Sequence, residues 1–455
     1  MLDKIRLFLA VAACKAAIWG SRLLGKKGSS APGQLALAIY PGVLKSLAAQ
    51  VKREIIVVCG TNGKTTTNNL LYSFLSSRGF RVVCNKVGAN MLYGVCCAFA
   101  QEASVFGRLR ADYACIEVDE ASCVKVFAHM KPDKMVITNL FRDQLDRYGE
   151  IDITVDYLKR ALALTPETEL ILNGDDPLVA QFGENTERKC YYMGVDEDAG
   201  VSLSETKEGR FCVLCGEKLE YEYYHYSQLG KFHCPGCGFA RRPPDFRVSG
   251  VSLDNGLKFQ LEHEEKSIAF DVSYRGFYNI YNIVLSYAAA TLAAGEIPDY
   301  AGVLARYRPQ IGRMEEFCVG KKIVLNLSKN PAGFNQAIST VAKDERPKDV
   351  LIVINDNAQD GKDISWIWDV DFERMKEIGI GNFILSGIRV DDLAVRLKYA
   401  GIEEERLTKV RSLREAAQTL AAGGGEIGYA LVNYTAVFRM QDILKELEKE
   451  AGNNE

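Results

Sequence analysis

Gly60-Thr61-Asn62-Gly63-Lys64-Thr65-Thr66 has the makings of a phosphate-binding loop. Its glycines permit a tight turn that brings backbone N–H groups close to a polyphosphate. Lys64 offers that anion a positive charge, and the Thr65 hydroxyl is placed to ligate Mg²⁺. The loop is shorter than the usual Walker pattern, so its flanks matter. The β-branched run Glu54–Cys59 precedes it and a helical spacing over Thr66–Arg78 follows. Strand, glycine loop and helix in that order predict ATP binding. Glu117 ends the run YACIEV (113–118), where a strand's carboxyl edge would present it to Mg²⁺ or its waters. Asp119 and Glu120 offer the same chemistry, and an ordinary surface glutamate is the plain alternative.

Cys212-x-x-Cys215 and Cys234-x-x-Cys237 make a tetrathiolate pattern with 18 residues between the pairs. Two short knuckles supply four soft ligands to one tetrahedral Zn²⁺. A closed four-sulfur shell leaves no position for substrate, so the expected role is structural. A module of about 40 residues has too little core alone and gains stability from the metal. Paired disulfides or chance spacing are the alternatives. A third polar cluster, Asn355 to Asp369, follows the apolar run Val350–Asn355 and carries Asp356, Asp360 and Asp363 in one loop. Open α/β sheets place functional residues at such edges; plain Asx-turn chemistry is the competing reading.

These groups need a scaffold. Short β runs at 81–84, 135–138 and 170–172 alternate with helical patterns, which indicates a mostly parallel, doubly wound α/β sheet. The rhythm breaks at 205–245, the cysteine-bearing insert, and resumes with a strand at 257–261 and a helix at 280–294. A second α/β set starts near Lys321. The expected organisation is a helical lead-in (1–50), a central ATP-binding domain (51–316) with the insert, and a Rossmann-like C-terminal domain (317–455).

With 455 residues, 47% hydrophobic and 25% charged, the chain is a globular protein of several hundred residues rather than a disordered one. Its net charge of −3 gives no overall basic surface, so no nucleic-acid partner is expected. Nine cysteines lie outside the cluster, an odd, dispersed set that fits buried free thiols in a reducing cytoplasm. At the N-terminus, Leu7–Ala13 is apolar and Val11-Ala12-Ala13-Cys14 mimics a lipoprotein cleavage box. Lys15 interrupts that run, and about 14 residues are too few to span a bilayer. A surface helix is expected, with membrane-surface contact left open.

The form GTNGKTT resembles the ATP loop of the Mur ligase family, whose members activate a carboxylate as an acyl phosphate and attack it with an amine. The likeness continues in order. Glu117 matches the family's Mg²⁺-associated glutamate. Thr138 to Gly149 (TNLFRDQLDRYG) resembles a motif that in most members carries Asp-His-Leu-Asp. Gly276, Asn279 and Asn282 fit a signature whose second asparagine contacts adenine. Gly312-Arg313-Met314-Glu315 and Lys329-Asn330-Pro331-Ala332-Gly333 match motifs at the family's domain junction. The implied fold is α/β, a Mur ligase-type central P-loop ATPase domain with an inserted four-cysteine zinc ribbon, plus a Rossmann-like α/β C-terminal domain. Two departures stand out. Gln144 replaces a Mg²⁺-binding histidine, and Ala161 stands where many members carry a carbamylated lysine.

The ribbon, LSKNPAGFNQ (327–336) and NDNAQDGKDISWIWD (355–369) narrow the resemblance to the family's amidating ligase subunits. That likeness implies amidation of the D-glutamate α-carboxylate in the lipid II stem peptide, with ATP, Mg²⁺ and structural Zn²⁺. It implies ammonia from a GatD-like glutamine amidotransferase subunit, and work at the inner face of the cell membrane. It also implies that one aspartate here completes the partner's Cys-His pair; motif position gives Asp363, with Asp356 and Asp360 as alternatives. The histidines agree independently. None of His129, His225, His233 and His263 lies near a cysteine in a Gly-rich elbow, so an internal glutaminase site is hard to build. A stand-alone Mur or folylpolyglutamate-like amino-acid ligase and a nucleotide-gated binding protein are the competing readings; Ala161 counts against the ligase.

Overall fold

The computed structural model describes residues 2–23, 28–86, 88–142, 151–201, 209–254, 256–307 and 312–452. The chain forms two units, Met1–Leu140 with Ile151–Tyr307, and Phe141–Glu150 with Arg308–Glu455. The run carrying Gln144 lies outside the described residues.

In the first unit, the strands are β1 (Glu54–Cys59), β2 (Val82–Cys84), β3 (Tyr113–Glu117), β4 (Lys134–Ile137), β5 (Glu169–Asn173), β6 (Cys190–Val195), β9 (Phe246–Ser252), β10 (Leu257–His263) and β11 (Lys266–Val272). Among the described residues they make one sheet in the order β11-β10-β9-β6-β5-β4-β1-β3-β2. β1 pairs in parallel with β3 and β4. The sheet turns antiparallel only at β9–β10–β11. As an inner strand with both faces covered, β1 reads as a continuous apolar run, and its last five residues are buried.

The lead-in folds as α1 (Leu2–Leu23), α2 (Ala31–Ile39) and α3 (Val43–Ala48). They share a core with α4 (Lys64–Ser77) and α5 (Leu92–Glu102) only in part: α1 and α2 pack on α5, while α4 lies on the helix Tyr278–Ala294. Pro32 opens α2 within its first turn, where the missing N–H is no loss. Gly33 allows close approach, because a Cβ there would collide with the Tyr93 carbonyl. No helix among the described residues is long and apolar enough to cross a membrane.

Inside the cysteine-rich insert, β7 (Glu220–Tyr226) and β8 (Leu229–His233) form a separate antiparallel hairpin. Its small core joins Cys212, Leu219, Phe232, Cys234 and Phe239. In the second unit, β12 (Arg313–Val319), β13 (Lys321–Leu327), β14 (Lys348–Val353), β15 (Ile380–Ser386), β16 (Leu407–Lys409) and β17 (Ile427–Val432) run in the order β12-β13-β17-β14-β15-β16. Only the β12–β13 pair is antiparallel.

All thirteen cysteines are free thiols. Six of the nine scattered ones are buried as expected, but Cys84 and Cys190 are half-buried and Cys318 is exposed. Cys318 lies on edge strand β12, between buried Phe317 and Val319, so side-chain alternation turns it outward.

Candidate active site and metal centre

Gly60 follows the end of β1 and Gly63 caps α4, both with positive φ (121° and 83°). A Cβ at Gly60 would strike Thr138 and Asn139, and one at Gly63 would strike the Asn282 amide. Only glycine fits either place. The loop's shape is set from outside. Thr61 N–H donates to the Asn139 carbonyl (2.8 Å) and Asn62 N–H to Asn139 Oδ1 (2.8 Å). Thr138 Oγ1 (2.7 Å) and Asn139 Nδ2 (3.0 Å) donate to the Asn62 carbonyl.

Lys64 starts α4, buried, with its Nζ donating to the Gly60 carbonyl and to Glu120 Oε1 at 3.0 Å. Burial alone would lower its ammonium, but Glu120, Asp119 and Glu117 outweigh that and hold it above the ordinary lysine range. Glu117 ends β3 with its main chain clamped by Asn85, whose Oδ1 accepts from Glu117 N–H (2.9 Å) and whose Nδ2 donates to the Glu117 carbonyl (2.8 Å). Asn90 Nδ2 donates to Glu117 Oε1 at 2.8 Å. The other carboxylate oxygen, Oε2, is buried with no hydrogen-bond partner. Glu117 Oε2 and Thr65 Oγ1 both lie within 4 Å of the point where a Gly88 side chain would begin. A hard cation suits that space, since an orphaned carboxylate oxygen and a hydroxyl are its preferred donors. The donors therefore fit Mg²⁺.

Asn282 sits in the helix Tyr278–Ala294, nearly fully buried, with its Nδ2 donating to Asn279 Oδ1 (3.0 Å) and its Oδ1 3.4 Å from Thr67 Oγ1. It thus backs the phosphate loop. Spacing did not reveal Asn85, Asn90 or the Glu120 pair with Lys64; only the position of Glu120 beside Glu117 hinted at it.

Sulfur atoms of Cys212, Cys215, Cys234 and Cys237 all lie within 4.8 Å of one another. Cys212 and Cys237 are 3.5 Å apart, as are Cys215 and Cys234. Desolvation pushes the Cys234 thiol up, and N–H groups of Cys237 and Gly236 with the Cys215 sulfur more than offset it, leaving it at about 7. Four converging sulfurs, one of them easily ionised, fit Zn²⁺.

In the second unit the loop after β14 divides its aspartates. Asp360 is buried and accepts from Thr435 N–H (2.8 Å) and the Thr435 hydroxyl. Asp356 pairs with Arg389 at 2.8 Å. Asp363 is half-buried, and its Oδ1 accepts from Ser365 N–H at 2.8 Å, an Asx-turn. That N–H holds its carboxyl below the ordinary range. Two of the three carboxylates are committed to internal braces; Asp363 is the open one.

A glycine loop joining an inner parallel strand to a helix, with a second α/β unit following in the chain, is the architecture of a Mur ligase-type fold. The Mur ligase middle domain model matches residues 58–235, and the MurT ligase C-terminal model matches residues 327–437. The pseudomurein peptide ligase type C of Methanothermus fervidus aligns with TM-score 0.67 at 24% identity, covering 87% of this chain and 79% of that one. The MurF ligase of Thermotoga maritima in complex with ADP aligns with TM-score 0.64 at 14% identity, covering 92% and 85%. Subunit MurT of the lipid II isoglutaminyl synthase (glutamine-hydrolyzing) of Staphylococcus aureus strain N315 is 34% identical over 97% of this chain and 98% of its own length. The Streptococcus pneumoniae R6 subunit of the same name is 33% identical over 92% of both chains. The chain belongs to the MurT family of Mur ligases.

Proposed function

We propose that this chain is the ligase subunit of a lipid II isoglutaminyl synthase, which converts the D-glutamate α-carboxylate of the lipid II stem peptide to a carboxamide at the expense of ATP. The observation that carries the reading is the orphaned Glu117 Oε2, which borders the same space as the Thr65 hydroxyl beside the glycine loop. Full-length likeness to the MurT subunits supports it.

In this reading residues 60–66 hold the ATP phosphates, Thr65 and Glu117 hold Mg²⁺, and Asn282 meets the adenine. Bound Mg²⁺ would offset charge on the phosphates as the γ-phosphoryl group transfers. Lys64, whose charge is kept on by its acidic neighbours, takes the developing negative charge at the β–γ bridge. A substrate carboxylate oxygen attacks the γ-phosphorus and ADP leaves. Ammonia then attacks the acyl carbon, phosphate leaves, and the surplus proton passes to solvent. The four cysteines hold a structural Zn²⁺.

Asp363 is assigned to a GatD-like glutaminase partner, where its carboxylate would hold a histidine of the partner's Cys-His pair in the productive tautomer and support its positive charge. The lipid-linked substrate places the reaction at the cytoplasmic face of the cell membrane. The test is co-expression with the glutaminase, followed by assay with lipid II, ATP and either glutamine or ammonium. Carboxamide formed in step with ADP from both nitrogen sources is expected; no ADP-coupled carboxamide from either overturns the reading.

A further inference from the structure

Helix α1 buries one side, Ala10, Val11, Cys14 and Ile18, against the rest of its unit. The opposite side is also apolar. Positions 2, 5, 9, 12, 16, 19 and 23 follow one another at alternating steps of three and four, which places them in a single stripe. They are Leu, Ile, Leu, Ala, Ala, Trp and Leu, and the large ones stand in the open: Leu2 64% exposed, Ile5 52%, Leu9 49%, Trp19 68% and Leu23 67%. Phe106, 74% exposed, extends the patch by stacking on Phe8. A water-soluble helix normally turns charge outward, so an outward apolar stripe along about 33 Å of helix calls for a cover.

Charge says which cover. Lys4, Lys15 and Arg22 flank the stripe on one side and Arg6 on the other, with Asp3 the one acid on the helix. None of Lys4, Arg6 and Arg22 has an acidic ion-pair partner among the described residues. Beside the helix lies a groove of about 850 Å³ whose lining includes Lys15, Arg81, Arg108, Arg110 and Phe106 against a single acid, Glu102. A second copy laid face to face would bring these like charges together. An anionic lipid surface meets both features: acyl chains take the stripe and headgroup phosphates take the cations. Since no helix among the described residues is long and apolar enough to cross a bilayer, the helix lies on the surface.

We propose that the outer face of α1, with Phe106 and the adjoining basic groove, docks this chain on the anionic phospholipid surface of a membrane. The inference stands apart from the proposed reaction, because binding needs neither ATP nor a nitrogen source.

The experiment is flotation of the full chain with phosphatidylglycerol–phosphatidylcholine vesicles and with vesicles of phosphatidylcholine alone. Strong binding to the first, weak binding to the second and loss at high salt are expected. The double variant Ile5→Glu/Trp19→Glu should bind the anionic vesicles at least about tenfold more weakly. Both positions are exposed, so its thermal melt should match the parent. The variant Lys4→Glu/Arg22→Glu should also bind more weakly. Absence of binding to the anionic vesicles overturns the proposal, as does equal binding to both vesicle types or by the variants. A lipid-free dimer that Ile5→Glu/Trp19→Glu dissolves would assign the stripe to self-association and overturn it too.

Discussion

Gln228, at the turn of the β7–β8 hairpin, donates from Nε2 to the main-chain carbonyl of Leu140 at 2.7 Å, with both groups buried. Leu140 follows Thr138 and Asn139, which hold the phosphate loop through Asn62. The same amide approaches Asp176 Oδ1 (3.3 Å), and Asp176 Oδ2 accepts from Leu140 N–H (2.9 Å). Hydrogen bonds and the short main-chain step Thr138–Leu140 thus connect the cysteine-bearing insert to the glycine loop. Substituting Gln228→Met keeps the volume and removes the donor. A buried hydrogen bond is worth about 1 kcal/mol, so KM for ATP should rise about fivefold with little change in kcat. Steady-state kinetics at saturating lipid substrate checks this; an unchanged KM for ATP counts against the link.

The ribbon should hold its hairpin through the metal. Cys215 is an exposed member of the four-sulfur cluster, so Cys215→Ser removes one sulfur without opening a core cavity. Zinc content should fall from about one per chain to well below one, and the melting temperature should drop, because metal-dependent modules this small lose most of their folding free energy without it. Elemental analysis and calorimetry measure both, independently of turnover.

Lys64 has Glu120 as its buried counter-charge, at 3.0 Å. Replacing Glu120→Gln takes from that buried ammonium its direct ion-pair partner, a loss of about 3 kcal/mol. A polyphosphate would restore the missing negative charge. MgATP should therefore raise the melting temperature of the variant more than that of the parent, by linkage. Equal shifts would separate Lys64 from the phosphates.

The two halves of the proposed chemistry can be separated by substitution. Asp363→Asn should cut glutamine-driven amidation at least about a hundredfold, by analogy with loss of an orienting carboxylate elsewhere, and leave ammonium-driven amidation and complex formation intact. Lys64→Ala should abolish both. Normal use of glutamine by Asp363→Asn would remove the role assigned to that carboxylate.

The residues that announced themselves were those tied to local chemistry. EIIVVC before GTNGKTT marked an inner strand and its loop, and the 2-18-2 cysteine spacing marked a ribbon whose sulfurs do converge. Partners far apart in the chain stayed hidden. Gln228 meets Leu140, and Asn85 and Asn90 clamp Glu117, through single side-chain bonds that no periodicity encodes. Arg241 and Arg242 are adjacent basic residues in the chain, yet the Arg241 side chain is buried against Asp175 (2.6 Å) and Asp196 (3.0 Å). Side-chain charge alone does not tell a surface from a buried ion pair.

Asp349 on β14 gives the second unit a pH-dependent brace. Its carboxylate is fully buried and accepts from Lys321 Nζ (2.9 Å), Gly425 N–H (2.8 Å) and Asn382 Nδ2 (3.1 Å). Burial pushes it up, but Lys321 and the Gly425 N–H outweigh burial and hold it below the ordinary carboxylate range. A depressed folded value means that the stabilisation is fully present above the unfolded value of about 3.9 and is lost as pH falls through the folded one. Asp349→Asn leaves the half-buried Lys321 without its counter-charge, so it should cost about 3 kcal/mol at neutral pH. Amide exchange of β14 and β17 reads this as faster opening in the variant. The gap between variant and parent should stay constant from neutral pH down to about 5 and narrow below about 4, where the unfolded chain's carboxyl takes up its proton before the folded one does. A gap that stays open in acid would mean that Asp349 acts through packing rather than through charge.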